Sequence, residues 1–476
     1  MSTIDIIYGA FKSSKWGMLM KSSTYLPITV LPTKMFQENK HTIYMSSTLH
    51  SYWKINSTDT ILLCIGARVV SVIVAIKEME KDHILFTEDF MTELSLPIKK
   101  YDFMTQFDEV KNVLYVGPIL ALVTEVQEQE NGEPNFQSIH SFCEELHYAC
   151  NLFGGFFYVT HIKDVSLDEV KGWYYEEDGW KKSKITHPNV IYNRIHSRRL
   201  EASPFFDKFK NTLSLIGIPM FNEGFLSKWE AHKILHAEQH LQPYLPDTEL
   251  FSEKSLTSFL EKYKSVYLKP INGSQGRNIF RVSQKRDVIL VESSTSKERT
   301  KEFHLLQAFL EWFAIRAHPL TFIIQQAIPL VTYQERQLDF RVLCHKDSQN
   351  NWRITSLVSR VSAANQLVSN LAKGGEMLKP AQPLGQLFDR QAVQVQIAFM
   401  RELSLEVANL ISQSSIGFVG ELGIDMGIDP NGNPWIIEVN SKPSKNAEEQ
   451  KSKIRPSAKA IFEYAYTLAF HHLRNL

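Results

Sequence analysis

The stretch GFVGELGIDMGIDPNGNPWIIEVNSKP, residues 417–443, decides how the rest of the chain is read. Two β-like runs flank Asp429-Pro430-Asn431-Gly432-Asn433-Pro434, and Asp, Pro, Asn and Gly crowded together are a strong turn signal. A hairpin symmetric about the Asn431–Gly432 bond sets Asp425 directly across from Glu438 and Gly423 across from Asn440. Side chains alternate faces along a strand, so Glu438 and Asn440 share a face with Asp425 while Ile437 and Val439 point the other way. Opposed residues have Cβ atoms about 5 Å apart, so two carboxylates and an amide oxygen converge on one patch. Like charges at that range call for a cation. An all-oxygen donor set without His or Cys favours Mg²⁺, with Mn²⁺ able to replace it. The competing reading is a solvent-facing acidic hairpin.

Upstream, Val266-Tyr267-Leu268-Lys269 runs into PINGSQGRN and out again into Ile279-Phe280-Arg281-Val282, so this glycine loop joins two strands. It has no GxxxxGK[ST] pattern, and no helix follows it as in a dinucleotide-binding turn. Gly273, Ser274 and Gly276 let backbone N–H groups come close to an anion, with Lys269 beside them as a cation; an ordinary β-turn is the alternative. Around these segments the apolar spacing predicts helices over 228–241, 257–263, 303–315 and 390–412. Strands are expected at FIIQQ from Phe322 and around 339–344 and 353–360.

The first hundred residues place short β-rich runs at 25–30, 42–45, 60–65, 69–76 and 84–86 between polar turns, the spacing of a small barrel or sandwich. From Val113 the pattern changes. LYVGPILALVTE reads as a buried strand, and Ile139, Phe142, Cys143, Leu146, Ala149, Cys150 and Phe153 recur at helical spacing behind Ser138 as N-cap. FFYVT from Phe156 and the run 190–192 supply further strands of an α/β unit. Trp173, Tyr174, Tyr175, Trp180 and Tyr192 read as packing residues, with the lining of a substrate cleft as the alternative.

At 476 residues and 43% hydrophobic, the chain can build several cores, and 52 basic residues balance 52 acidic ones. That balance excludes a global electrostatic pull toward nucleic acid or an anionic membrane. Four cysteines without a CxxC pair make neither a disulfide framework nor a zinc site. The most apolar run, ILLCIGARVVSVIVAI from Ile61, carries Arg68 at its middle and does not read as a membrane span. A cytoplasmic protein with no nucleic-acid partner is expected.

Taken together, the strand ending in Lys269-Pro270, the Gly-Ser-x-Gly loop and the Asp…Glu-x-Asn hairpin resemble the ATP-grasp superfamily of carboxylate–amine ligases. The spacing from Asp425 to Glu438 and Asn440, followed by Pro443, is similar to that of D-alanine:D-alanine ligase. The strings YVGPILALVTE, VIYNRI, DFRV and SNLAKGG extend the resemblance over the whole chain to the YheC/YheD-type endospore coat-associated ATP-grasp proteins. The resemblance implies an α+β multidomain architecture: an ATP-grasp fold of two α+β lobes gripping ATP, after a pre-ATP-grasp α/β unit and an N-terminal small β-barrel-like domain. Boundaries are expected at 1–110, 111–222 and 223–476, with the ATP-binding lobe over 223–326 and the metal lobe over 327–476.

The resemblance further implies a ligase that uses Mg²⁺ and ATP to activate an unidentified carboxylate for a nucleophile, spore association, and spore coat proteins as partners. By the same resemblance Lys228, with Lys233 as its competitor, and Lys269 meet the phosphates. Gln325, Gln326 and Ile328 hold adenine through the backbone, and Asp339 and Arg341 form a DxR segment like that of the ribosomal-protein glutamate ligases. Arg360 contacts the transferred phosphoryl group, Asn370 borders the triphosphate, and Asp425, Glu438 and Asn440 hold the metal. Gly423 stands where the D-alanine ligase pattern carries an arginine, so the substrate chemistry of that branch is not carried over. A small-molecule kinase and a non-catalytic ATP-binding assembly protein of the spore remain as alternatives.

Overall fold

The computed structural model describes residues 25–34, 41–55, 60–130, 132–177, 179–273, 276–294, 300–317, 321–363, 375–445 and 454–474. Ser274 and Asn370 lie outside the described residues. The chain divides into two compact units, Met1–Glu223 with Lys346–Asn351 and Ser444–Leu476, and Gly224–His345 with Trp352–Pro443.

In the first unit, seven strands close a barrel: Leu26–Thr33, His83–Thr87, Thr42–Met45, Arg68–Ile76, Thr60–Ile65, Val113–Gly117 and Tyr101–Asp108, in order of pairing. Alternation fills its interior with Val30, Ile43, Leu63, Val72, Ile84, Phe103 and Leu114, all buried. The run LYVGPILALVTE is not one strand. Pro118, which has no N–H to give a ladder, separates Val113–Gly117 in the barrel from Ile119–Val123, an interior strand of a second sheet. That six-stranded sheet also contains Phe156–Val165, Val170–Glu176, Gly179–Ile185, Val190–Asn193 and Met220–Phe221. Helix His140–Phe153 packs on it with Phe142, Cys143, Leu146, Ala149 and Cys150 buried, as their spacing predicts. Ser138 is not its cap: a short 3-10 turn, Gln137–Ile139, leads in, and the capping position is Ile139 with no side-chain bond. Trp173, Trp180 and Tyr192 belong to the same core as this helix and Pro456–Arg474, with Tyr175 packed against it, so packing is their structural role. All four cysteines are buried and unbridged.

The second unit carries two sheets. The first has six strands in the order Thr248–Leu250, Phe322–Gln326, Ser265–Pro270, Phe280–Lys285, Val288–Ser293 and Thr300–Phe303, every pair antiparallel. Helices Glu253–Tyr263 and Leu306–Ala317 cover it through Leu256, Phe259, Leu260, Phe309 and Phe313. The second has Glu376–Leu378, Trp352–Val361, Arg336–Lys346, Glu421–Ile428 and Pro434–Asn440 in that order. Its helix, Arg390–Ser414, starts where the Asp389 carboxylate accepts the Ala392 N–H and buries Val393, Gln396, Met400, Leu403, Val407 and Ile411 at steps of three and four. Among the described residues, no helix is long and apolar enough to cross a membrane.

Candidate functional site

The hairpin pairs Asp425 with Glu438 and Gly423 with Asn440, as its sequence predicts, but by a different route. The turn is centred on Asn431, with Ile428 opposite Pro434, so on its own it would put each residue one place out of the expected register. A bulge then inserts Ile437 without a partner between the Met426–Ile436 and Asp425–Glu438 pairs and restores the register. One consequence corrects the expected faces. Ile436 and Val439 are buried in the core, whereas Ile437, expected to share the face of Val439, is only half-buried like Glu438. Asp429 organises the turn: its carboxylate accepts the N–H groups of Asn431 and Asn433, both at 2.9 Å, and the Trp435 indole at 3.2 Å. At Gly423, an added Cβ would lie 2.7 Å from Pro443 Cβ, so this position has no room for the arginine of the D-alanine ligase pattern.

The central strand Glu421–Ile428 sets Asp425 opposite Arg341 on one side and Glu438 on the other. Arg341 grips both oxygens of Asp425, one through Nε and the other through Nη2 at 2.9 Å. Arg360 grips both oxygens of Asp339, at 2.6 and 2.7 Å, and reaches Asp425 Oδ1 at 3.2 Å. Burial alone would raise the Asp425 pKa, but Arg341 and Arg360 outweigh it and hold the carboxyl below its ordinary value. Two aspartates and two arginines thus make a charge-balanced strip in which Asp425 is buried and the other three are half-buried.

Glu438 is held more lightly. Its Oε1 accepts the Lys228 ammonium at 2.9 Å, and the same ammonium donates to Gly273 O at 2.8 Å. Lys228 opens helix Lys228–His236, whose cap is a reciprocal pair between Ser227 and Glu230; this helix ends earlier than the expected 228–241. A cation at a helix N-terminus works against the helix dipole, so the carboxylate and the loop carbonyl fix its position. Lys233 lies in the last turn of that helix and does not line the pocket. The glycine loop does join two antiparallel strands, with Gly276 at φ +67.

Lys269, only 8% exposed, donates to Gln325 Oε1 at 2.5 Å. Burial lowers its pKa to about 8, with Lys228 pushing the same way and Glu438 and Asp425 opposing. Lys228, Lys269, Gln325 and Glu438 are polar lining residues of an open pocket whose apolar lining includes Leu235, Leu245, Ile323 and Ile437. His232 also lines it; burial, with His236 nearby, lowers its pKa to about 4. Gln326 spends its N–H on Asp247 O at 2.8 Å, and neither it nor Ile328 lines the pocket.

The expected residues therefore fall into one group on the hairpin and its neighbouring strands (Asp339, Arg341, Arg360, Asp425, Glu438, Asn440) and one around the pocket (Lys228, Lys269, Gly273, Gln325). Sequence reasoning missed His232, Thr248, Ile437 and Asp429; only Asp429, first residue of the turn, carried a local signal. The donor types suit Mg²⁺, two carboxylates and an amide on one hairpin with no His or Cys, while Arg341 and Arg360 on Asp425 and Lys228 on Glu438 hold the places a metal ion would have to take.

The chain is similar to several known proteins. The family described as "YheC/D like ATP-grasp" matches residues 217–468, more than half of the chain. The endospore coat-associated protein YheD of Bacillus subtilis (strain 168) is 29% identical over 390 residues, 80% of this chain and 84% of that protein. YheC of the same strain is 24% identical over 289 residues, 58% of this chain and 77% of that protein. A solved structure of the VanG D-Ala:D-Ser ligase from Enterococcus faecalis aligns with a TM-score of 0.44 and 13% identity over 75% of this chain and 99% of that one. The hairpin, the glycine loop and the matched span lead to one conclusion: the chain belongs to the YheC/D-like ATP-grasp family.

Proposed function

We propose that the protein is an ATP-dependent ligase of the ATP-grasp type. A substrate carboxylate oxygen attacks the γ-phosphorus of ATP, ADP leaves, and the resulting acylphosphate is attacked by an amine or similar nucleophile, which expels inorganic phosphate. The observation that carries this reading is the register that sets Asp425 across from Glu438, with Lys228 bridging Glu438 to the glycine loop. Lys228 and Lys269 bind the phosphates, and Gly273, Ser274 and Gly276 let backbone N–H groups approach them. Of the three residues expected to hold adenine, Gln325 borders it, while Gln326 and Ile328 lie outside the pocket. Asp425, Glu438 and Asn440 would hold Mg²⁺, which when bound offsets phosphate charge. Arg341 and Arg360 face the transferred phosphoryl group, Asp339 orients Arg360, and Asn370 borders the triphosphate. Positioning and charge supply the rate, without a dedicated general base. The sequence bounds of a barrel over 1–110, an α/β domain over 111–222 and the ATP-grasp domain over 223–476 shift at two points, since the barrel takes in Val113–Gly117 and the segment Ser444–Leu476 belongs with the α/β unit; the protein is read as acting in the cytoplasm and in association with the spore.

The coat association in the names of YheD and YheC favours one other reading, a nucleotide-binding assembly protein that turns nothing over. Phosphorus NMR of the protein with Mg²⁺·ATP and fractions of small molecules and cell-wall or coat peptides, beside Glu438→Gln, separates the two. ADP and inorganic phosphate that depend on one fraction and vanish in the variant support the ligase. ATP bound but intact with every fraction supports the assembly protein, and a stable phosphorylated product without a ligated species would indicate a kinase.

A further inference from the structure

Along the Ser265–Pro270 strand, Tyr267 and Lys269 share a face, and Tyr267 is the register partner of Gln325, which in turn pairs with Thr248 on the next strand. Their side chains form a chain of bonds across three strands. Lys269 Nζ donates to Gln325 Oε1 at 2.5 Å, Gln325 Nε2 donates to Thr248 Oγ1 at 3.0 Å, and Thr248 Oγ1 donates to Pro246 O at 2.9 Å. All three residues are at least nine-tenths buried.

The chain can run in one direction only. An ammonium has three protons and no lone pair, so it must meet the amide oxygen, which turns the amide nitrogen to Thr248. Pro246 offers a carbonyl and no proton, so the Thr248 hydroxyl must donate there and accept from the amide. Donor-only and acceptor-only ends thus lock the rotamer of Gln325 and, through it, the position of the ammonium. The partner is also neutral. A glutamate of the same shape would cancel the positive charge within the protein, whereas the amide anchors one N–H and leaves the charge to an incoming anion.

We infer that Gln325, locked by Thr248, is a positioning residue that holds the Lys269 ammonium in the pocket with its charge uncancelled, ready for the anionic part of the ligand. This rests on the reading of the pocket as the nucleotide site. Among the described residues, the charged or titratable groups that act on Lys269 are Glu438 and Asp425 of the hairpin, Lys228 of the helix and Tyr267 of its own strand, whose ring centroid lies 5.4 Å from the ammonium, with His232 lining the same pocket and neutral at ordinary pH.

The test is calorimetric binding of Mg²⁺·ADP to the full chain and to Gln325→Glu, Thr248→Val and Thr248→Ser, from about pH 7 to about pH 9. In the parent protein, affinity falls as pH rises through the range where the buried ammonium loses its proton. Gln325→Glu is expected to bind about tenfold more weakly near pH 7. Its carboxylate holds the proton on Lys269, so the fall in affinity moves to higher pH. Thr248→Val is expected to lose about threefold, and Thr248→Ser, which keeps the hydroxyl, to recover it. A purely structural role would lower thermal stability without moving the pH profile. An unchanged affinity and profile in Gln325→Glu, or equal binding by Thr248→Val and Thr248→Ser, overturns the inference while leaving the nucleotide site intact. Failure of the parent protein to bind Mg²⁺·ADP overturns both.

Discussion

Asp425 and Glu438 face each other across one hairpin and are held in opposite ways. Asp425 is clasped through both oxygens by Arg341 and touched by Arg360, which is itself clasped by Asp339. Glu438 has a single bond to one lysine, and its side chain is 23% exposed against 10% for Asp425. Planar guanidinium forks fix geometry, while a lysine ammonium on a flexible stem can change partner at small cost. The contrast separates a carboxylate that holds the sheet's charges in place from one whose cation can be exchanged.

The largest effect is expected at the exchangeable side. Glu438→Gln keeps shape and removes the charge, so Mg²⁺-dependent nucleotide binding or turnover should fall to background, while unfolding free energy changes by no more than about 1 kcal/mol, as for a partly exposed ion pair. Retained activity in phosphorus NMR would sink the metal assignment. Asp425→Ala should do the reverse in stability, because it leaves Arg341 and Arg360 without their shared buried carboxylate. A loss of about 3–5 kcal/mol in denaturant unfolding is expected. Equal stability losses in the two variants would break the comparison.

The same contrast explains what could be read from the sequence. The hairpin was legible because a turn, an alternation and two acids lie within residues 417–443, and the helix expected over 390–412 was legible from its apolar spacing. Even there the pairing of Asp425 with Glu438 came out right through two shifts that cancel, a turn centred one half-step early and the bulge at Ile437, and neither is visible in composition. The partners of the cations were not legible. Lys228 is 210 positions from Glu438, and Thr248 is 77 from Gln325; only the tertiary fold brings them together. The same limit hid the barrel strand Tyr101–Asp108 and the break of one apolar run at Pro118 into two sheets, since a run of buried residues does not say which sheet it joins.

Lys269 gives a third way of holding charge, by a neutral amide, and it predicts a smaller effect with a definite sign. Its folded pKa of about 8 lies below the ordinary lysine value of about 10.4, so the unfolded chain binds more protons between those limits. Stability contributed by this position therefore rises with pH from about 8 to about 10.4 and is lowest below pH 8. Lys269→Met removes the buried charge and should flatten that rise. At neutral pH it should stabilise the fold by about 1 kcal/mol, after the lost bond to Gln325 is subtracted, while nucleotide binding is lost. Denaturant midpoints of the two proteins across this pH range check the sign. A steeper rise in the variant would show that Lys269 is not the group responsible.

The smallest stability effect is expected for Lys228→Met, and it sharpens the comparison most. Lys228 and Glu438 share one bond, and the other Lys228 bond is to a loop carbonyl, so stability should change by less than about 1 kcal/mol. The binding consequences run in opposite directions. Without its lysine, Glu438 has more charge to offer a cation, so Mn²⁺ measured alone by electron paramagnetic resonance should bind several-fold more tightly than to the parent protein. Nucleotide loses one phosphate-binding cation, so Mg²⁺·ADP should bind about tenfold more weakly. Asp425 predicts no such reciprocity, because removing either arginine leaves the other on its oxygens. Arg341→Met should weaken the fold and leave Mn²⁺ binding no tighter, and tighter Mn²⁺ binding in that variant would mean that both carboxylates, not Glu438 alone, exchange their cations.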